Sequence, residues 1–263
     1  MAVKLYDKND FEQMQKAGTL AAQVLDYIED FVKVGVSTLH LNNLCHDFII
    51  KHGAIPAPLN YKGFPKSICT SVNHVICHGI PSDSKILKDG DIINIDVTVI
   101  LNGYYGDTSR MFIAGKGRTD GIRLCQVTYE AMMLGIDAAK PGNTLRDIAI
   151  AIETHVKRFS YSVVRDFCGH GICKVFHDEP HVVHYNEKSS KYQDMILKPG
   201  MIFTIEPMIN QGTYHAIVSK IDGWTATTKD KKLSAQYEHT IGLVEGGNII
   251  FTSSPKHGLK NFI

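Results

Sequence analysis

Four carboxylates sit where a strand pattern would bury them. Asp96 lies in the apolar run Ile92–Ile100 and Asp107 in Tyr104–Ile113. Glu206 ends the run Ile202–Ile205, and Glu238 opens Glu238-His239-Thr240-Ile241. Asn102-Gly103 between two apolar runs is a strong signal for a two-residue hairpin. That loop sets Leu101 opposite Tyr104 and Thr98 opposite Asp107. Asp96 and Asp107 then share a face as diagonal neighbours, roughly 7–8 Å apart at the backbone. An ionised carboxylate buried alone is costly, and acids crowded together raise one another's pKa. Protons, Lys or Arg partners, or metal ions would relieve such a cluster. Two divalent cations would balance four carboxylates. Oxygen-rich ligation with one imidazole suits Mn²⁺, Fe²⁺, Co²⁺ or Zn²⁺. An imidazole is available at His170 in Cys-Gly-His-Gly-Ile-Cys, where flanking glycines let the backbone turn and approach closely. His78 in Cys-His-Gly-Ile-Pro and His177 in Phe-His-Asp-Glu-Pro are further candidates, although each alone also fits a structural role. No His-Glu-x-x-His motif or cysteine cluster is present, which disfavours ordinary zinc-protease and structural-zinc sites.

The elements that must position these groups show a repeat. Leu87–Asp96 (LKDGDIINID) parallels Leu197–Glu206 (LKPGMIFTIE), 110 residues further on, each ending in an acid. Upstream, Gly35-Val36-Ser37-Thr38-Leu39 parallels Gly142-Asn143-Thr144-Leu145 with one gap. Each half reads as helix, Gly-x-Thr-Leu, helix, Leu-Lys-x-Gly and an antiparallel strand pair. A duplicated α+β fold follows, with helices over one face of a sheet about a pseudo-twofold and a central crevice fed by both halves. Glu206 and Glu238 would there play the parts of Asp96 and Asp107. Apolar residues from Phe11 to Phe31 recur at three- and four-residue steps, so a first helix is expected there. Asn9 and Glu12 read as its capping box. Further helices are expected from Ser37 to Gly53, from about Thr119 to Ala139 and from Thr144 to Ser160. Strands are expected at Ile202–Ile209, Tyr214–Ile221, His239–Val244 and Ile249–Thr252.

Composition narrows the function classes. The chain has 263 residues, of which 44% are hydrophobic, enough for a sizeable core. Lys and Arg total 28 against 27 Asp and Glu. That near balance excludes a binder that relies on an overall basic surface for nucleic acid. No apolar run approaches the ~18 residues of a membrane span, and the charged N-terminus does not resemble a secretory signal. A soluble, cytoplasmic protein is expected. The six cysteines form no Cys-x-x-Cys pair and read as free thiols.

Taken together, the segments YKGFPKSIC, VICHGIP, DGDIINIDVTV, GDTSRMF, FCGHGI, FHDEP, LKPGMIFTIEPM and SAQYEHT resemble the compact bacterial type I methionine aminopeptidases. The likeness runs from about residue 10 to about residue 253 and implies the pita-bread fold. That would make 1–263 a single catalytic metallopeptidase domain, with halves at about 10–115 and 119–253. By this resemblance Asp96, Asp107, His170, Glu206 and Glu238 ligate two divalent metals, with Asp107 and Glu238 bridging. The reaction implied is attack of metal-activated water on the first peptide carbonyl. Glu206 would be general base and proton shuttle. His177 would stabilise charge on the carbonyl oxygen or hold the peptide, and His78 would hydrogen-bond the scissile nitrogen.

The same resemblance places Tyr61, Phe64, Cys69, Phe176 and Trp224 around a methionine side chain, where rings suit a thioether. Without it, that aromatic set reads as core packing. Phe64 stands where the family often has tyrosine, Pro58 where it often has cysteine, and Lys62 where it often has histidine. The substrates implied are N-terminal segments of nascent proteins, at the ribosome or free, with a small uncharged second residue. No specific nucleic acid and no membrane is implied, and a monomer is expected. The alternatives are a proline-directed aminopeptidase, which usually has an additional N-terminal domain, and a non-catalytic binding module on the same scaffold, which usually lacks some metal ligands.

Overall fold

In a computed structural model that describes residues 3–187 and 192–259, a nine-stranded, wholly antiparallel sheet carries the site. Its main path runs Ile55–Pro56, Ile92–Leu101, Tyr104–Ile113, Glu238–Val244, Ile202–Ile205, Gly169–Gly171 and Asp178–Val182. Cys69–Val72 pairs beside Ile92–Leu101, and Gly247–Ile250 pairs with Glu238–Val244. The expected hairpin register holds, with Leu101 opposite Tyr104 and Thr98 opposite Asp107. Among the described residues four α-helices accompany the sheet: α1 (Lys8–Ile28), α2 (Thr38–Lys51), α3 (Thr119–Ala138) and α4 (Leu145–Lys157). None is long and apolar enough to cross a membrane.

The duplication is visible in hydrogen bonds. Gly35 N–H donates to Leu87 O at 2.8 Å, and Gly142 N–H donates to Leu197 O at 3.0 Å. The return bonds are Leu87 N–H to Val36 O at 2.9 Å and Leu197 N–H to Asn143 O at 2.8 Å. Isolated bridges join Ser37 to Ile86 and Thr144 to Ile196. Gly90 and Gly200, the fourth residues of the two repeats, both have left-handed φ values, 83° and 90°. That conformation explains why both copies carry glycine.

Strand alternation separates core from site. Ile93, Ile95, Val97 and Val99 are buried against residues of α1 and α2, including Leu25, Ile28, Leu41 and Cys45. The intervening Asn94, Asp96 and Thr98 face the other way. In the second half Phe203, Ile205, Ile241 and Leu243 join the core of α3 and α4, whereas Thr204, Glu206, Glu238 and Thr240 do not. Helix α1 lies so close to the sheet that a Cβ on Gly106 would come within 2.2 Å of Ala17 O. Glycine is required there.

Several expectations change in detail. The capping box of α1 is Asp7 with Asp10, not Asn9 with Glu12: Asp10 N–H donates to Asp7 Oδ1 at 2.9 Å. The cap lies two residues earlier than expected, at Asp7 and not Asn9, because the first turn of the helix is polar and shows no apolar periodicity. Ile202–Ile209 is two strands, Ile202–Ile205 and Met208–Asn210, interrupted at Glu206-Pro207, where proline cannot donate to the ladder. Tyr214–Ile221 contributes only Ala216–Val218. That strand pairs with Ala226–Thr228, which in turn pairs with Val75–Cys77. The two acidic pairs are not equivalent. Asp96 and Asp107 are diagonal, whereas extending the Ile205–His239 register by one residue sets Glu206 opposite Glu238.

Candidate metal and peptide site

Both halves present acids to a single cavity of about 390 Å³. Asp96, Asp107, His170, Glu206 and Glu238 line it, as do His78, His177, Tyr61, Phe64, Cys69, Phe176 and Trp224. Every residue singled out in the sequence therefore meets in one place. Ligand atoms of Asp107, His170 and Glu238 lie within 4.8 Å of one another. His170 Nε2 is 3.5 Å from Glu206 Oε1 and 3.7 Å from Asp107 Oδ2. Asp96 reaches the cavity from the strand beside Asp107 and stands opposite Cys69.

Neighbouring groups fix these ligand atoms. Thr98 Oγ1 donates to Asp107 Oδ1 at 2.7 Å. Thr204 Oγ1 donates to Glu206 Oε1 at 2.8 Å and accepts from His170 N–H at 3.0 Å. Gln236 Nε2 donates to Glu206 Oε2 at 3.2 Å. His170 Nδ1 lies 3.1 Å from its neighbour's carbonyl, Gly171 O, so Nδ1 carries the proton and Nε2 keeps its lone pair toward the carboxylates. His184 is buried behind the site, and its Nε2 accepts from Glu206 N–H at 3.1 Å.

The electrostatics of the bare chain are unfavourable. Burial pushes the Asp96 carboxyl up to about 7. Asp107, Glu206 and Glu238 are also raised well above the usual carboxylate range, first by burial and then by the charge of neighbouring acids: Asp96 on all three, Asp107 on both glutamates. Burial holds His170 down to about 4, so it brings no positive charge at neutral pH. Among the described residues, no Lys or Arg forms an ion pair with any of the four acids. Carboxylates and a neutral imidazole that converge without a countercharge match the donor set of a hard-to-borderline divalent cation.

Away from the acids the cavity wall is aromatic. Phe64 and Trp224 meet edge to face at 5.3 Å between ring centroids, and Tyr61 lies 4.8 Å from Phe176. His177 stands at the mouth with its ring centroid 4.3 Å from that of His170. Its Nδ1 lies 2.9 Å from Tyr61 Oη, which leaves Nε2 for a ligand. His78 packs edge to face on Phe167 and Trp224 and holds a left-handed φ of 55°, a strained state for a non-glycine residue. Burial lowers its pKa to about 4.

Sequence reasoning did not name Asp166, Cys168, Met208 and Gln236, which also line the cavity, or Thr204 and His184 behind it. Met208 sits two positions from Glu206 and Gln236 two positions from Glu238, so strand alternation could have pointed to them. His184 had no such signal.

The converging carboxylates and imidazole make this cavity a candidate divalent-metal site. The profile of metallopeptidase family M24 matches residues 12–245, and the chain belongs to that family. It is 59% identical over 256 residues to a methionine aminopeptidase of Rickettsia prowazekii, covering 97% of each chain. It is 52% identical over 253 residues to a methionine aminopeptidase of Escherichia coli, covering 96% of this chain and 94% of that one. The crystal structure of the Rickettsia enzyme superposes with a TM-score of 0.92 over 95% of this chain and all of that one, at 58% identity. A prolidase from Pyrococcus furiosus shares the fold, with a TM-score of 0.76 at 22% identity. The chain covers only 65% of that prolidase. These relations favour the methionine-releasing reading over the proline-directed one.

Proposed function

We propose that this chain is a methionine aminopeptidase that hydrolyses the bond after an N-terminal methionine, with preference for a small uncharged second residue. We further propose that 1–263 forms one catalytic domain of two pseudo-symmetric halves; residues 1–2, 188–191 and 260–263 of that span lie outside the described residues. The observation that carries the reading is the convergence of Asp96, Asp107, His170, Glu206 and Glu238 at one end of a cavity with aromatic walls. In this reading those five residues would hold two divalent ions, Co²⁺, Mn²⁺, Fe²⁺ or Zn²⁺. Bound there, the ions would neutralise the carboxylates and lower the pKa of water toward neutrality.

The chain's own groups then divide the work. Glu206, oriented through both carboxylate oxygens by Thr204 and Gln236, takes the proton of the attacking water and returns it to the departing amine. His177 offers Nε2 to the carbonyl oxygen as negative charge develops. His78 hydrogen-bonds the scissile nitrogen. Tyr61, Phe64, Cys69, Phe176 and Trp224 receive the methionine side chain and exclude water from it. The free α-amine of the substrate meets the acidic end of the cavity. An internal peptide segment has no such group, which accounts for action at the terminus. The natural substrates are N-terminal segments of nascent proteins, met in the cytoplasm by a monomeric enzyme.

A peptide panel tests this reading. With Mn²⁺ or Co²⁺, Met-Ala-Ser should release free methionine. Its N-acetylated form should react slower by on the order of 10⁴-fold, because the polar end of the cavity is left unpaired. Peptides of the form Xaa-Pro should give no comparable release. Efficient cleavage of Xaa-Pro peptides, or of the acetylated peptide, would overturn the assignment.

A further inference from the structure

The loop 172–177 brings Phe176 and His177 to the cavity mouth, and its position depends on contacts with other parts of the chain. On one side Tyr105 N–H donates to Cys173 O at 2.8 Å, and the Tyr105 ring stacks on Phe176 with centroids 5.5 Å apart. On the other side stands the first turn of α1. Lys174 Nζ lies 2.8 Å from Asp10 Oδ1, and the same oxygen accepts from Tyr104 Oη at 2.9 Å. Lys174 Nζ also lies over the Tyr104 ring, 5.0 Å from its centroid. One residue past the loop, Asp178 Oδ2 pairs with Lys4 Nζ at 2.7 Å.

We propose that Lys174 and Asp10 are positioning residues: the start of α1 clamps the loop and so sets where His177 meets the peptide. The proposal rests on the reading of His177 as a peptide contact. The two ion pairs differ in weight. Both lysines are exposed, 61% at Lys4 and 58% at Lys174, so neither pair holds much by charge alone, and the difference lies in the carboxylates. The Asp10 side chain is 13% exposed against 24% for Asp178, and its carboxylate also accepts from Tyr104 Oη and Asp7 N–H, so Asp10 is a fixed anchor on which Lys174 closes. The Asp10 pair is the better anchored of the two, because Tyr104 meets both partners, Asp10 through its hydroxyl and Lys174 through its ring. His177 lies three residues beyond Lys174, so slack in the clamp reaches it through a short stretch of loop. A displacement of about 1 Å at a reacting group can cost on the order of 10²-fold in rate.

The test compares Lys174→Met with Lys174→Arg in the full chain. Hydrogen–deuterium exchange of the segment 172–178 reads the loop, and kcat/KM on Met-Ala-Ser with Mn²⁺ reads its consequence. Lys174→Met should speed exchange of that segment about fivefold and lower kcat/KM about tenfold. Lys174→Arg should keep both within about twofold, since its guanidinium can still pair with Asp10. In a His177→Ala background, Lys174→Met should cost less than about twofold more, because its route of action is already gone. Unchanged exchange in Lys174→Met, or the full tenfold loss in the His177→Ala background, would overturn the proposal. If the unaltered protein released no methionine, the reading of function would fail, while the exchange data would still decide on the clamp.

Discussion

Glu206→Gln should lower kcat on Met-Ala-Ser by about 10³-fold or more, within the range that general acid–base groups supply. The carboxylate is held at both oxygens, by Thr204 at 2.8 Å and by Gln236 at 3.2 Å. Its Oε1 stands 3.5 Å from His170 Nε2, within the same acidic cluster. The amide replacement has nearly the same shape but cannot take a proton from water. Loss of folding would not explain the defect. Glu206 is one of several buried acids that disfavour one another's ionisation, and removing one relieves that crowding. The metal-free variant should therefore melt no lower than the metal-free parent. Calorimetry together with a stopped assay for free methionine checks both halves of the expectation. A variant that keeps a tenth or more of the parental kcat would remove Glu206 from the proton path.

Removal of metal should have an effect of similar size. Dialysis against a chelator should bring methionine release to background, and added Mn²⁺ or Co²⁺ should restore it. Stability should move in the same direction. An ion at 100 times its dissociation constant adds about 2.7 kcal/mol to the folded state if it binds only there. The increment should be largest near and above neutral pH, where the acids would otherwise be ionised together, and smaller in acid, where protons relieve the same repulsion. Assays of released methionine and melting curves on one stripped and reloaded preparation check both. Full activity in stripped protein, with metal shown absent by elemental analysis, would contradict the expectation.

The two halves of the site were not equally legible in the sequence. Asn102-Gly103 fixed the register that aligns Asp96 with Asp107, because a two-residue loop leaves a hairpin little freedom. The matched Leu-Lys-x-Gly segments carried the duplication, since both copies need a left-handed glycine before their strand. The exact relation of Glu206 to Glu238 was hidden. These residues lie 32 positions apart in the chain (238 − 206), with a hairpin and a small sheet between them, and Pro207 breaks the ladder at the critical position. Gly169–Gly171 and Val75–Cys77 are three-residue strands, too short to show a period of two, yet they carry His170 and lead into His78. The aromatic wall was readable only through family likeness. Tyr61, Phe176 and Trp224 come from three loops, and no local pattern distinguishes a pocket ring from a core ring. Thr204 and His184 act through single hydrogen bonds to Glu206, and such long-range geometry leaves no trace in spacing.

The central claim is that Asp96, Asp107, His170, Glu206 and Glu238 jointly bind divalent cations. Anomalous diffraction from crystals soaked in Mn²⁺ tests it most directly. The account predicts peaks in the cavity in bonding contact with His170 Nε2 and with carboxylate oxygens of Asp107, Glu206 and Glu238. Ions found only elsewhere, or a cavity without a peak in crystals of protein that releases methionine at its full rate, would contradict it.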